Sequence, residues 1–222
     1  MDYNKVIYNN YAKSSYPLEL VKHIKQKYFI YRNTLVLDLG CGKEIYTRAF
    51  ETFGFSCKGI DRGWENKIHN LPGDFERDKL PFSDRKFDYI FCKSVIEHVR
   101  NTEHLLAEAY RVLKKNGKIL ILTPSWENNY KWFYDDPTHI KPFCRKGLQD
   151  ALKMADFKNI EVEYFYHLPF IWKKHSFLGR FLATVIRKIL PDKWRWRDCE
   201  QKHHNVLIRF SKEVQLLAIG QK

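Results

Sequence analysis

No stretch of this 222-residue chain stays apolar long enough to span a bilayer, which excludes an integral helical membrane protein. Residues Met1 to Ser15 are polar and tyrosine-rich and lack the apolar centre of a signal peptide. Cysteine is sparse: five residues, an odd number at irregular spacing, make no disulfide framework. These absences point to a cytoplasmic protein with reduced thiols, Cys41 and Cys92 among them. Negative charge is also short. Asp and Glu number 26 against 39 Lys and Arg, a net charge of +13, and residues 167–222 hold twelve basic against four acidic side chains. A basic end of this kind suits nucleic acid, a phosphorylated substrate or a membrane surface, or is simply a solvated face. With 44% hydrophobic residues, the rest of the chain is rich enough to bury the core of one α/β domain.

That domain is organised around Leu35-Val36-Leu37-Asp38-Leu39-Gly40-Cys41-Gly42. An apolar run ending at close-spaced glycines predicts a buried strand, a tight turn and then a helix. In an open α/β sheet that turn lies at the carboxyl edge of the strands, where ligands bind. A dinucleotide fingerprint needs a third glycine at position 45, which is Ile45. Phe55 to Ile60 predicts the second strand, and Asp61 at its end stands where a carboxylate accepts from both ribose hydroxyls. Asp-Arg-Gly is also good turn chemistry, and the pairing alone fits NAD enzymes equally.

Alternation continues along the chain. Residues Asp2 to Arg32 and Glu44 to Phe53 predict helices, the latter stopped by Gly54. Strands are expected at Tyr89 to Cys92, Gly117 to Leu122, Ile160 to Tyr166 and Glu213 to Gly220, with helices at Thr102 to Lys115 and Arg145 to Met154. Ser176 to Leu190 reads as a basic amphipathic helix, with Phe177, Leu178, Phe181, Leu182, Val185, Ile186, Ile189 and Leu190 on one stripe. Trp194-Arg195-Trp196-Arg197 follow it, and Val206 to Phe210 forms an extended lead-in to the last strand.

The ordered set resembles the class I S-adenosylmethionine-dependent methyltransferases. Asp38-Leu39-Gly40-Cys41-Gly42 is similar to their D-x-G-x-G loop, although many members carry a further glycine where this chain has Glu44. Gly73-Asp74-Phe75, Leu80-Pro81-Phe82-Ser83-Asp84 and Phe87-Asp88 resemble the stretch found in small-molecule members. Glu97-His98-Val99 resembles the E-H-V signature of ubiquinone-biosynthesis-like enzymes. The resemblance implies S-adenosylmethionine as cofactor, bound by Asp38, Gly40, Cys41, Gly42, Asp61 and Arg62, with Asp74 and Phe75 at the adenine and Cys92 and Lys93 alongside. The N/D-P-P-Y/F clamp of amino-methylating enzymes is replaced by Cys92-Lys93-Ser94-Val95, which disfavours their chemistry. Some ubiquinone-pathway enzymes build a metal site with an acidic residue three places before the Glu; Ser94 is there instead, so no metal is expected.

Catalysis then falls to His98 or to His139 of Asp136-Pro137-Thr138-His139-Ile140-Lys141-Pro142-Phe143, a segment that lies over the acceptor pocket in glycan- and small-molecule-acting relatives. Either imidazole is a general base only if the acceptor is a hydroxyl; otherwise His98 orients its loop. The expected fold is a doubly wound, mostly parallel seven-stranded α/β sheet with a helical basic insertion between the last two strands. Its expected parts are an N-terminal helical cap (1–33), the cofactor-binding core (34–166), the basic insertion (167–203) and a terminal strand (204–222). The leading function is O-methylation of a small-molecule or glycan acceptor, with residues 176–197 resting on the inner face of a membrane near lipid-linked substrates. The two alternatives are an RNA methyltransferase and a catalytically silent, cofactor-binding interaction domain.

Overall fold

A computed structural model describes residues 15–28, 31, 34–62, 70–72, 74–172, 177–190 and 211–222. The predicted elements before Ser15, the tryptophan–arginine run and the Val206 to Phe210 lead-in lie outside the described residues. The sheet starts from β1 (Leu35–Leu39), which pairs in parallel with β2 (Ser56–Asp61) on one side and β4 (Phe87–Lys93) on the other. Outside β2 lies β3 (Asn70–Pro72); beyond β4 come β5 (Leu113–Pro124), β7 (Val214–Gln221) and β6 (Lys158–Tyr166). Six of these strands are full-length, and the seventh, β3, is a three-residue edge strand. β7 slots between β5 and β6 and runs antiparallel to both.

Side-chain alternation explains why helices cover both faces. Leu37, Leu39, Ile90, Ile119 and Ile121 point to one side, where they meet Leu105, Leu106, Ala109 and Val112 of α3 (Thr102–Val112) and Leu148 and Leu152 of α4 (Arg145–Met154). Val36, Phe91, Leu120 and Leu122 point to the other, against Leu20, Val21 and Ile24 of α1 (Tyr16–Tyr28) and Ala49 and Phe50 of α2 (Ile45–Thr52). Asp88 ties strands together: its Oδ2 accepts from the Leu35 backbone N–H at 2.9 Å and its Oδ1 from Lys114 at 2.8 Å. Arg111 does the same for the Leu80–Asp84 loop, donating to the Leu80 and Phe82 carbonyls and to Asp84 and Glu108. The L-P-F-x-D stretch is thus held by α3.

One predicted boundary is corrected, and one predicted helix packs by an unexpected face. Helix α3 stops at Val112 rather than Lys115, because Leu113 pairs with Phe87 and the Asn116 N–H is taken by the Lys222 carbonyl at 3.0 Å. The insertion helix, α5 (Phe177–Ile189), leaves part of its large apolar stripe exposed. Among its described side chains Ala183 is the buried one, packed with Leu168 and Ile171, and a Cβ on Gly179 would meet Ile171 Cγ2 at 2.8 Å. The small face therefore packs inward, while Phe181, Leu182 and Ile189 are 59%, 47% and 72% exposed. Lys212, itself buried, caps the helix by donating to the Arg187 and Leu190 carbonyls at 3.2 and 2.8 Å.

Candidate active site

The carboxyl ends of β1, β2 and β4 bring the glycine turn together with the segment after β4. Gly40 and Gly42 adopt φ of +81° and +47°, a region open to glycine and costly for residues with a Cβ. Gly40 carries a second constraint: a Cβ there would lie 2.1 Å from Cγ2 of Val95 in the loop after β4. The Gly40 and Cys41 N–H groups both donate to the Ile60 carbonyl, and the Gly42 N–H donates to Asp61 Oδ2 at 2.9 Å. Asp61 thereby fixes the turn with one oxygen and keeps acceptor capacity for a ribose hydroxyl. Glu44, where relatives carry glycine, takes φ +61° and buries its side chain, with Arg48 3.4 Å from its carboxylate. The left-handed conformation is retained here without the glycine.

Asp38 serves the turn from beneath. It is buried, and its Oδ2 accepts from Thr47 Oγ1 of α2 at 2.7 Å. Burial pushes its carboxyl up to about 7, with the Thr47 bonds opposing the rise and the charges of Asp61 and Glu44 adding to it. The folded state therefore keeps this proton above the pH at which the unfolded chain releases it. The stabilisation is complete below about pH 4 and declines by about 1.4 kcal/mol per pH unit as pH rises towards 7. Asp38→Asn, which preserves the Thr47 acceptor, removes this dependence. Denaturant unfolding at pH 4.5 and 7.5 should show the variant gaining on the wild type by a few kcal/mol at the higher pH; an equal difference at both would contradict it.

Around the turn, Arg62 pairs with Asp74 at 3.2 Å, and Asp74 Oδ1 accepts from the Glu76 N–H at 3.0 Å. Phe75 and Cys92 are buried, at 7% and 1% exposure. Lys93 is half-buried at the end of β4, donates to Ser94 Oγ at 3.2 Å and lies 5.5 Å from the Tyr46 ring centroid. Burial pulls its ammonium down to about 8, against the attraction of Glu97 and Asp38. No disulfide joins the four described cysteines.

The second half of the site is a histidine corner. Glu97 is buried in the turn Ile96–His98, and its backbone carbonyl accepts from the N–H groups of Ile140 and Lys141 at 2.8 and 3.0 Å. Those bonds bring the Asp136–Phe143 segment against the E-H-V segment, so that the His98 and His139 rings lie 4.8 Å apart between centroids. The two sequence-predicted bases are thus neighbours. His139 Nδ1 donates to the Phe133 carbonyl at 2.6 Å. His98 Nδ1 is 3.0 Å from both the carbonyl and Oγ1 of Thr138, whose hydroxyl proton is already given to Asp136 Oδ1 at 2.6 Å; His98 Nδ1 is therefore the donor. In a neutral ring with its proton on Nδ1, Nε2 carries the lone pair. Thr47 and Thr123, which donate to the Asp38 and Glu97 carboxylates, carry no sequence signal and are recognised only by what they touch.

Fold and loop define a class I S-adenosylmethionine-dependent methyltransferase. The positive-φ glycine turn, with Asp61 bonded to it, fits that cofactor: Gly40, Cys41 and Gly42 would face it through backbone, Asp61 the ribose, and Asp74 and Phe75 the adenine. Residues 16–162 match the family described as Methyltransferase domain, and the chain belongs to that family. It is similar to an uncharacterised protein of Methanocaldococcus jannaschii, 28% identical over 70% of this chain and 68% of that one. It is similar also to the ubiquinone biosynthesis O-methyltransferase of Pelagibacter ubique, 29% identical over 41% of this chain and 42% of that protein. The chain therefore spans less than half the length of that quinone-pathway relative. Among solved structures, a SAM-dependent methyltransferase from Archaeoglobus fulgidus superposes over the whole of both chains with a TM-score of 0.65 at 21% identity.

Proposed function

We propose that the chain O-methylates a hydroxylated small molecule or glycan. The observation that carries this reading is the histidine corner: two imidazoles, each held by its Nδ1, 4.8 Å apart and next to the loop whose Val95 lies against Gly40. S-adenosylmethionine, when bound, supplies a methyl on sulfonium sulfur; the C–S bond breaks with its electron pair leaving on sulfur as a C–O bond forms. The chain's own work is to align the acceptor, exclude water and take the hydroxyl proton at Nε2 of His139 or His98. Val95, seated against Gly40, is three residues from His98 and holds the two halves together.

Formation of S-adenosylhomocysteine across a panel of hydroxylated small molecules and glycans tests the acceptor class, with RNA as the contrasting arm; methylation only of RNA, weakening steeply with salt, would overturn it. With an acceptor in hand, His139→Ala should lower turnover about 100-fold while cofactor affinity stays within about twofold. Unchanged turnover removes His139 from the mechanism.

The exposed Phe181, Leu182 and Ile189 of α5, with Phe170 48% exposed nearby, support a membrane-facing surface for lipid-linked acceptors. No described helix is long and apolar enough to cross a membrane, so contact would be peripheral. Co-sedimentation with anionic vesicles, reduced at least fivefold by Phe181→Asp, is the expected outcome; no difference between the two proteins would remove α5 from the contact.

A further inference from the structure

We propose that Glu97, His98 and His139 form a binding site for a divalent transition-metal cation. One donor atom from each lies within 4.8 Å of the other two, so closing on a shared ion requires only small side-chain movements. The expectation of no metal rested on Ser94. The structure supplies a different third donor, His139, delivered from some 40 residues away by the backbone bonds that Ile140 and Lys141 give to Glu97.

Three further observations point to a cation rather than to a packed polar cluster. Glu97 Oε2 accepts from Thr123 Oγ1 at 2.9 Å, but Oε1 is buried without a hydrogen-bond partner among the described residues. An orphaned carboxylate oxygen is costly in a protein interior, and a cation beside it removes that cost. Each imidazole gives Nδ1–H to a backbone carbonyl, Thr138 for His98 and Phe133 for His139, which is how metal-binding histidines are held, with Nε2 presented as the ligand atom. Finally, His139 Nε2 makes no hydrogen bond within the described residues; the nearest carboxylate oxygen, Asp136 Oδ2, is 3.8 Å away.

Two imidazoles and one carboxylate favour Mn²⁺, Fe²⁺, Co²⁺ or Zn²⁺ over the oxygen-seeking Mg²⁺ and Ca²⁺. Three protein ligands leave positions for the acceptor's hydroxyl oxygen. With a cation bound, the two imidazoles would be its ligands in place of the base role proposed above, and a ligated hydroxyl would be acidified enough to lose its proton to solvent. This role deepens the O-methylation reading and rests on it; binding of the cation does not.

The test is titration of the chelator-treated full chain with Co²⁺, followed by the visible absorption of the bound ion, without cofactor. One saturating site is expected, and Glu97→Gln, which keeps the Thr123 bond, and His139→Gln should each weaken it at least 30-fold. S-adenosylmethionine titration of the same three proteins reports whether each is folded. Absent Co²⁺ binding, or binding unchanged in both variants, overturns the site even if the cofactor binds normally. Co²⁺ binding without cofactor binding leaves the site standing and sinks the methyltransferase reading instead. A variant that loses cofactor binding as well is replaced by His98→Gln, judged by the same 30-fold criterion.

Discussion

Gly40→Ala should abolish measurable S-adenosylmethionine binding and lower the melting temperature by roughly 6–12 °C. Two costs combine. An alanine at φ +81° sits in the left-handed region, at about 1 kcal/mol, and its methyl would stand 2.1 Å from Val95 Cγ2. Relieving that contact means moving the loop that leads into Glu97 and His98, an overpacking cost of about 2 kcal/mol. About 3 kcal/mol in a chain of this size converts to the shift given above. Gly54, at φ +82° after α2, is the control. Gly54→Ala incurs the backbone cost away from the turn, so it should lower stability by about 1 kcal/mol and leave cofactor affinity intact. Equal loss of affinity in both variants would mean that destabilisation, not the shape of the turn, removes binding.

Asp61→Ala should weaken S-adenosylmethionine binding on the order of 100-fold with little effect on thermal stability. Its carboxylate joins the Gly42 N–H, 2.9 Å away, to the expected position of the ribose diol. Losing a charge-assisted bond to the ribose and loosening the turn at once costs about 3 kcal/mol of binding. Its folding role is smaller, because Gly40 and Cys41 remain tied to the Ile60 carbonyl. Asp61→Asn keeps one acceptor oxygen and should fall between the two. An affinity in Asp61→Ala within threefold of wild type would remove the ribose role.

Much of the fold was legible because local pattern and global position agree. The run Leu35 to Leu39 and the helix Arg145–Met154 are found at their expected bounds: one is buried on both faces, and the other is amphipathic with a clear stop. Boundaries failed where a distant strand decides them, as at Leu113 to Asn116, which pair with β4 and the chain end. In helix α5, found near its expected bounds, the stripe alone did not show which face packs inward. A hydrophobic stripe records polarity but not size, and Gly179 and Ala183 allow closer approach than the larger side chains do.

At the site, the glycines and Asp61 could be placed from spacing alone, since strand, turn and strand fix their relative positions. The contact of His98 with His139 could not, because it depends on the Glu97 carbonyl receiving two N–H groups from a loop some 40 residues on. For Asp38 the pattern showed a strand end but not the partner, Thr47. An aspartate at a strand end reads the same whether it faces a ligand or, as here, Thr47 in a buried setting.

The most direct test of the cofactor turn is calorimetric titration of the purified chain with S-adenosylmethionine and, separately, with NAD. Saturable one-to-one binding of S-adenosylmethionine, lost in Gly40→Ala, with no heat from NAD, is the expected result. No binding of S-adenosylmethionine, or binding that Gly40→Ala leaves intact, would contradict the assignment of the turn and of the activity built on it.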